Sequence, residues 1–330
     1  MAKTILVAKT GGPEVMKLTD IDPGKPKPGE LLIRQTAMGV NFGDIHKRRG
    51  TAPPHAMAAI SFPFTPGLEA AGIVEEVGPG ADDFRVGDRV AYAVPSMLGG
   101  YAEARTIAAE HAFKLPAQVS DVDAAALMYK GMTVQGLIRS CFRVEPGHTL
   151  LLHGAAGGVG TIMTRWARHL GAVVIGTVSN DAKAARAQKN GCSHVININT
   201  EDFVARTLDI TNGVGVDVVY DSVGDTVFMK SFGCLRKYGM MVSFGQSSGI
   251  LEPIDPVFLQ HKGHYLTKFS GSTYNSDPQE YQARAKDVLQ AMEKGVLPHD
   301  THAVYSLADA VAAHRDFEDR KTMGSVVLIP

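Results

Sequence analysis

The sequence predicts an α/β protein in which a small β-barrel domain is interrupted by a doubly wound domain with a parallel sheet. Three observations lead to this fold class. A glycine-rich turn joins a strand to a helix at 150–160, strands and helices then alternate as far as residue 245, and short β-like segments separated by turn residues fill the chain before about residue 120. The 330 residues are sufficient for two domains.

Composition and charge exclude several classes of protein. The chain is 45% hydrophobic and 20% charged, which is ordinary for a globular protein, and its net charge of −1 gives no electrostatic reason to expect a nucleic-acid or membrane partner. We expect no signal peptide and no membrane span, because no apolar run approaches ~18 residues. Cys141, Cys192 and Cys234 show neither disulfide nor metal-ligand spacing, so we expect buried thiols in a cytoplasmic protein.

The turn at 150–160 predicts a dinucleotide site. An apolar strand, Leu150–Leu152, runs into a segment with glycine at 154, 157, 158 and 160, and apolar residues at helical spacing follow at once. Glycines in such a turn allow a tight bend, a close approach of the backbone to a pyrophosphate, and close packing of the helix on the strand. Free N–H groups at the start of the helix then attract phosphate.

Alternating elements around this turn predict a parallel sheet with helices on its faces. A helix at 121–139 precedes the turn. The predicted strands after the turn are 173–178, 195–198, 216–221 and 239–245, and the predicted helices between them are 181–190 and 201–211.

The two ends of the chain predict the barrel. Short strands separated by turns are predicted at 31–37, 71–78 and 88–93. After residue 268 the alternation stops, and we expect the last segments to return to the first domain. These segments are a helix at 278–294, a strand at 302–305, a helix through Phe317 that begins with the capping box Ser306–Asp309, and a strand at 325–329. The predicted domains are therefore 1–128 with 268–330, and 129–267.

Several short motifs occur in order along nearly the whole chain. They lie at 11–15, 39–44, 66–72, 86–90, 131–133, 155–160, 220–224, 243–249 and 324–328. Together they resemble the zinc-independent quinone oxidoreductases, the branch of the medium-chain dehydrogenase/reductase superfamily that contains zeta-crystallin. The resemblance implies a GroES-like β-barrel domain for the acceptor and a Rossmann domain for NADPH. It also implies hydride transfer from the nicotinamide to a quinone, and a homodimer.

The residues that would hold zinc in the zinc-dependent relatives are replaced. Leu68 stands where those relatives have a histidine ligand, Asn41 lies at or beside a cysteine position, and the loop at 92–101 has no cysteine. The four-cysteine lobe of the structural zinc is also missing, so we expect no metal. Without a Lewis acid an alcohol is difficult to activate, and an electrophilic acceptor such as a quinone or an activated enone is the better fit.

The end of the second strand of the alternating region favours NADPH over NADH. NAD enzymes usually have an acidic residue ~20 residues after the glycine turn, and Ser179 occupies that place here. The resemblance implies that Lys183 contacts the 2′-phosphate, and the alternative is a solvated residue in the first turn of a helix. Two residues oppose NADPH: Asp181 could turn toward a ribose, and Ile198 stands where the relatives have a tyrosine.

The remaining site residues follow from the resemblance. Asn41, Phe42 and His46 are expected beside the nicotinamide and the acceptor, with Asn41 and His46 as the catalytic candidates. The residues expected around the rest of the cofactor are Thr133, Gly158, Val159, Ser179, Asn180, Lys183, Ile198, Val223, Gly245, Gln246, Ser247, Ser248, Ser270 and Arg320. Simpler alternatives exist for some of them: an ordinary helix residue, a turn at a strand end, or a surface charge.

His46 and the loop at 50–63 depart from the family pattern. Close relatives have tyrosine at position 46, and an imidazole there can donate a proton to a quinone oxygen or can simply pack. The loop at 50–63 is expected to border the acceptor entrance, so the acceptor is the least transferable part of the resemblance. Two other functions fit the same residues: an alkenal or enone reductase, and a non-catalytic NADPH-binding protein like the crystallins.

Overall fold

The computed structural model describes residues 1–52, 57–94, 97–249, 251–297, 301–319, 321–322 and 324–330, with only the backbone at 301 and 302. The strands are β1 (Ala2–Val7), β2 (Met16–Ile21), β3 (Glu30–Val40), β4 (Glu69–Val77), β5 (Arg89–Ala93), β6 (Ala104–Ala108), β7 (Phe113–Lys114), β8 (Thr149–His153), β9 (Val173–Val178), β10 (His194–Asn197), β11 (Val216–Asp221), β12 (Leu235–Ser243), β13 (Tyr265–Lys268), β14 (Thr301–Ser306) and β15 (Ser325–Ile329). The α-helices are α1 (Phe42–Arg49), α2 (Asp121–Gln135), α3 (Gly158–His169), α4 (Asp181–Lys189), α5 (Phe203–Ile210), α6 (Phe228–Ser231), α7 (Gly271–Tyr274), α8 (Pro278–Glu293) and α9 (Ala310–Glu318).

The chain divides into two compact units. Unit 1 consists of Met1–Met132, Asn275–Gly295 and His299–Pro330, and unit 2 consists of Thr133–Tyr274 and Val296–Pro298. The predicted domains, 1–128 with 268–330 and 129–267, do not include the return of Val296–Pro298 to unit 2.

Unit 1 is built on two sheets. The strands β1 and β2 form an antiparallel pair, and a seven-stranded sheet has the order β14-β15-β3-β4-β5-β7, with β6 also paired to β3. Side chains from both sheets, such as Ile5, Met38, Tyr92 and Leu328, lie in one buried core. The segments after residue 300 join this sheet through β15, which pairs with β3.

The helix α1 has no counterpart among the predicted elements. It begins after Asn41, whose backbone N–H donates to Asp44 Oδ2 at 2.9 Å, and it ends at Gly50, which has a φ of +78°. Its buried residues include three with charged side chains, Asp44, Lys47 and Arg48. A helix that buries charged residues shows no apolar periodicity, so the apolar pattern of the sequence does not predict it.

Unit 2 has one six-stranded sheet in the order β10-β9-β8-β11-β12-β13, and every pair in it is parallel. Renumbered from β8, this is the strand order 3-2-1-4-5-6 of a doubly wound dinucleotide-binding sheet. The order reverses between β8 and β11, so the carboxyl ends of those strands form the crevice in which such folds bind ligands. The predicted doubly wound parallel sheet is confirmed.

Several local features differ from the sequence prediction or complete it. The helix predicted at 121–139 ends at Gln135 and continues as a π-helical turn at Gly136–Cys141. The short edge strand β13 is not among the predicted strands. Cys192 and Cys234 are buried, Cys141 is half-buried, and none of the three forms a disulfide. Among the helices of the described chain, none is both long enough and apolar enough to cross a membrane.

The buried His153 at the end of β8 predicts a pH dependence of stability. The Ser231 hydroxyl donates its proton to the Val227 carbonyl oxygen, so it accepts from His153 Nε2, which lies 2.8 Å away. The other ring nitrogen, Nδ1, accepts from Thr177 Oγ1 at 2.9 Å. Burial lowers its pKa to about 3, whereas the unfolded chain titrates near 6.5. The unfolded state therefore binds the extra proton, and stability falls as the pH drops below 6.5 toward 3.

We expect the free energy of unfolding to lose up to about 1.4 kcal/mol per pH unit through His153 in this window. Urea unfolding between pH 7 and pH 4 measures the slope, and His153→Gln should flatten it. The exposed His194 provides a matched control, and His194→Gln should keep the wild-type slope. An unchanged slope in His153→Gln would show that His153 is not held neutral in the folded protein.

Candidate active site

The glycine turn in unit 2 presents free backbone donors. The chain leaves β8 through Gly154, which has a φ of +72°, and α3 begins after Gly157, which provides no side-chain cap. No acidic residue lies in the first turn of the helix, and the described structure provides no acceptor for the N–H groups of Gly158 and Val159. These donors and the positive end of the helix dipole form a cradle that fits the diphosphate of a dinucleotide.

Close packing at this turn requires glycine at position 160. A Cβ atom on Gly160 would lie 2.3 Å from the carbonyl oxygen of Gly154, which is far inside van der Waals contact. A Cβ atom on Gly157 would lie 3.3 Å from the same oxygen. The two glycines therefore have different roles, and the packing of α3 against the turn depends on Gly160.

The carboxyl end of β9 brings together the residues predicted to select the coenzyme. Lys183 Nζ donates to Ser179 Oγ at 3.1 Å, and Asn180 Oδ1 caps α4 by accepting from the Lys183 N–H at 2.9 Å. Ser179 and Lys183 are half-buried and Asn180 is exposed. A hydroxyl, an ammonium group and a helix N-terminus at one place form a local anion site.

Asp181, whose carboxylate could turn toward the ribose of NADH, has a hydrogen-bond partner in the structure. Its Oδ1 accepts from Asn197 Nδ2 at 3.0 Å, so the carboxylate is held against the end of β10. Asn199 Nδ2 in turn donates to the Ser179 carbonyl oxygen at 2.7 Å and anchors the same loop. Neither asparagine is among the predicted site residues, because their role depends on the pairing of β9 with β10.

The loops after β11 and β12 are joined to each other. The buried Asp221 accepts from the N–H groups of Val223 at 2.7 Å and Gly224 at 3.0 Å, which shapes the turn after β11. Burial raises the pKa of Asp221, and these two donors lower it. Ser248 Oγ donates to the Val223 carbonyl oxygen at 2.8 Å, so the predicted segment Gly245, Gln246, Ser247 and Ser248 lies directly against Val223.

Three other predicted residues, Ser270, Ile198 and Thr133, belong to unit 2 outside these loop segments. Ser270 follows β13 and is half-buried, and Ile198 packs against the apolar core of unit 2. Thr133 lies near the end of α2 and is half-buried. Arg320 lies outside the described residues, so its predicted role stays a prediction.

The predicted residues of unit 1 lie on α1 and at its start. Asn41 is buried, and its Nδ2 donates to Glu69 Oε1 at 2.8 Å. Phe42 is 49% exposed, and its ring packs against Phe317 with the ring centroids 4.7 Å apart. An oriented amide and a partly exposed aromatic face are groups that can hold a flat polar ring.

His46 lies on the same helix and is half-buried. Its Nδ1 lies 3.0 Å from Thr51 Oγ1, so the hydroxyl orients the ring. Burial, and next the charge of Arg49, lower the pKa of His46 below its ordinary value. The imidazole is therefore neutral at physiological pH, which weakens it as a proton donor.

The sequence prediction does not include a buried ion pair beside Asn41. Lys130 Nζ lies 3.6 Å from Glu69 Oε1, and Glu69 Oε2 accepts from the Tyr129 N–H at 2.7 Å. The side chains of Glu69 and Lys130 are only 1% and 7% exposed. The sequence alone does not predict this pair, because the two partners meet only when β4 packs against α2.

The predicted replacements at the zinc positions occupy buried places. Leu68 is 1% exposed, and Asn41 is engaged by Glu69. Within the described residues, no group of three or more His, Cys, Asp or Glu side chains is arranged to hold a metal ion.

Comparisons with known proteins identify relatives along the whole chain. Residues 158–291 match the zinc-binding dehydrogenase family, and residues 27–117 match the alcohol dehydrogenase GroES-like domain. A 2-haloacrylate reductase from a Burkholderia species is 43% identical over 100% of this chain and 99% of its own. Quinone oxidoreductase 1 from Escherichia coli is 41% identical over 100% of both chains. The crystal structure of the Escherichia coli quinone oxidoreductase complexed with NADPH superimposes with a TM-score of 0.93 over 99% of this chain and 100% of that one.

The packing of Gly160 generates a stability prediction. We expect Gly160→Ala to lower the free energy of unfolding by about 1–3 kcal/mol, because the new Cβ atom forces α3 away from the turn. Gly157→Ala is the matched control, and it should cost clearly less because its Cβ atom meets only a contact that small shifts relieve. Chemical denaturation of both variants provides the comparison, and equal stabilities would contradict the assigned roles.

Proposed function

The chain belongs to the quinone oxidoreductase family of medium-chain dehydrogenases/reductases, and from this premise we propose that it transfers hydride from NADPH to a quinone. The full-length similarity to quinone oxidoreductases and the fold of unit 2 support this proposal. The proposed residues are those of the sequence prediction, with Asn41 as the group beside the nicotinamide.

One observation carries the choice of coenzyme. Lys183 and Ser179 meet at the N-terminus of α4, while the acid of the same loop, Asp181, is engaged by Asn197. The ammonium and hydroxyl groups attract an anion, and the carboxylate of Asp181 is bound to Asn197. This arrangement favours a 2′-phosphate over a free ribose hydroxyl. The N–H groups at the start of α3 would hold the diphosphate.

When bound, NADPH supplies a hydride, and the quinone takes up that hydride and one proton to become a hydroquinone. The chain contributes binding and orientation, which provide most of the catalysis in a site of this kind. Asn41 holds a polar group through its amide, and Phe42 offers an apolar face. We propose that the proton comes from solvent, because His46 is neutral at physiological pH.

A specific relative favours a second candidate function, reduction of an activated carbon–carbon double bond. The Burkholderia relative is a 2-haloacrylate reductase, and hydride addition to such a double bond needs the same cofactor. Following NADPH oxidation at 340 nm with 1,4-benzoquinone, 9,10-phenanthrenequinone, an alkenal and 2-chloroacrylate separates the candidates. Turnover of the quinones alone supports the main proposal. Turnover of the alkenes alone supports the second, and tight NADPH binding without turnover supports a binding protein.

We also propose a homodimer and a cytoplasmic location, which the family resemblance implies. In the part of the chain that the structure describes, no further strand pairs with the outer edge of β13 in the unit 2 sheet, and this edge supports the homodimer. Tyr265 on the edge strand β13 is 58% exposed, and Val257 and Phe258, which precede that strand, are 60% and 40% exposed. Exposed apolar residues beside a free strand edge are typical of a surface that pairs with another chain.

Lys183 generates a prediction about coenzyme choice. We expect Lys183→Met to lower kcat/KM with NADPH about tenfold or more, since one charge-assisted contact is lost, and to leave kcat/KM with NADH unchanged. Lys189→Met, at the other end of the same helix, is the matched control and should resemble the wild type. Equal losses with both coenzymes in Lys183→Met would show that Lys183 does not contact the 2′-phosphate.

The neutral His46 generates a prediction about proton supply. We expect His46→Phe to keep the wild-type dependence of kcat/KM on pH between 5 and 8, because solvent provides the proton. Steady-state rates with 1,4-benzoquinone measure this dependence. Loss of an acidic limb in the variant would instead identify the imidazole as the donor.

A further inference from the structure

We infer that Glu69, kept as a carboxylate by Lys130, is a positioning residue that sets the orientation of the Asn41 amide and thereby the affinity for the nicotinamide end of the cofactor. The inference rests on the proposed place of Asn41 beside the nicotinamide. It adds two buried charged residues, distant from each other in sequence, to the groups on which cofactor binding depends.

The hydrogen bonds around Asn41 allow only one orientation of its amide. A carboxylate can only accept hydrogen bonds, so Glu69 Oε1, 2.8 Å away, must face Nδ2 and not Oδ1. On the other side, the backbone of Asn41 begins α1: its carbonyl oxygen accepts from the Asp44 N–H at 3.0 Å, and its N–H donates to Asp44 Oδ2. The Glu69 carboxylate therefore assigns which end of the amide is the nitrogen.

This orientation leaves one donor of Asn41 for a ligand. An amide nitrogen carries two N–H groups, and only one of them is used by Glu69. In the part of the chain that the structure describes, the second N–H has no acceptor, although Asn41 is only 4% exposed. A buried donor without a partner is costly, and a bound polar group that accepts from it removes that cost.

The fold makes room for the Glu69 carboxylate between β3 and α2. A Cβ atom on Gly39 would lie 2.2 Å from Glu69 Oε1 and 2.3 Å from the Ala125 carbonyl oxygen, so only glycine fits at that position in β3. Glu69 Oε2 accepts from the Tyr129 N–H, which fixes the other carboxylate oxygen. A carboxylate held at both oxygens in a place shaped for it is suited to orient a neighbour.

Lys130 keeps this carboxylate ionised. Burial raises the pKa of Glu69, and the charge of Lys130 is the largest influence that lowers it again, followed by the hydrogen bond from Asn41. The titratable and charged groups that act on Glu69 or feel its charge are Asp44 from α1, Tyr92 from β5, Tyr101 before β6, and Tyr129 and Lys130 from α2. Lys130 is the only cation among these, so its removal raises the pKa of Glu69.

A protonated Glu69 loses its control of the amide. The neutral carboxyl has an O–H that can donate to Asn41 Oδ1, which stabilises the flipped amide and turns the spare donor away. Because the pKa of Glu69 is raised when Lys130 is removed, Glu69 takes up its proton as the pH falls through that raised pKa. Without Lys130, cofactor affinity is therefore lost on the acidic side and retained on the alkaline side.

The test compares NADPH dissociation constants, measured by nicotinamide fluorescence between pH 5.5 and 9, as ratios to the wild type at each pH. We expect Lys130→Met to raise the constant about 3- to 10-fold at the acidic end, the worth of one hydrogen bond, and much less at the alkaline end. Lys130→Arg should restore the wild-type ratio. Glu69→Gln should raise the constant at every pH, because glutamine cannot titrate and has a single accepting oxygen for two donors.

Two further variants separate positioning from general damage. In an Asn41→Ala background, Lys130→Met should change the constant no further, since the effect passes through the amide. Glu280→Gln, which removes the charge that pairs with the buried Arg284 on α8, is the control and should bind like the wild type.

The outcomes are distinct. A wild type that does not bind NADPH overturns the proposed function. A wild type that binds, with Lys130→Met unchanged at all pH values or weakened equally at all of them, overturns this inference alone. If Glu69→Gln does not fold, the pair Lys130→Met and Lys130→Arg decides the matter.

Discussion

The close contact between α3 and the turn after β8 is the constraint on which unit 2 depends. Because Gly160 has no Cβ atom, the helix starts directly at the carboxyl edge of the sheet, with its free N–H groups facing that edge. Parallel strands bring all their carboxyl ends to the same edge, so the loops after β9, β11 and β12 gather around these donors. The anion site of Lys183 and the joined loops at Val223 and Ser248 follow from this one arrangement.

In unit 1, buried charged side chains have the role that close backbone packing has in unit 2. Asp44, Arg48 and Glu69 are fully buried, and each has a hydrogen-bond or ion-pair partner in another segment. Burying a charge is costly unless it is paired and hydrogen-bonded, so these residues specify where α1 lies more than they stabilise the fold. The side chains proposed to meet the nicotinamide are carried on that helix or at its start, and they inherit its position.

The periodic parts of the chain were accessible from the sequence, and the aperiodic parts were not. The strands of unit 2 and the helices α4 and α8 follow from apolar spacing and turn residues, which act locally. Apolar spacing does not predict the helix α1, because its buried face carries charges. It does not predict β13 either, because an edge strand of four residues shows too little alternation. The same distinction holds for the site. Ser179 and Lys183 are neighbours in sequence and make their hydrogen bond within one turn, whereas Glu69 and Lys130 are brought together only by packing.

The sequence by itself determined the doubly wound unit, the glycine turn, the neutral residue at the end of β9 and, through its motifs, the family. These features act over a few residues or through the order of short segments. Only the tertiary structure decided which polar groups are free. Asn197 engages Asp181, Glu69 engages one donor of Asn41, and burial holds His46 neutral. Hydrogen bonding and desolvation depend on distances between residues far apart in the chain, and those distances exist only after folding.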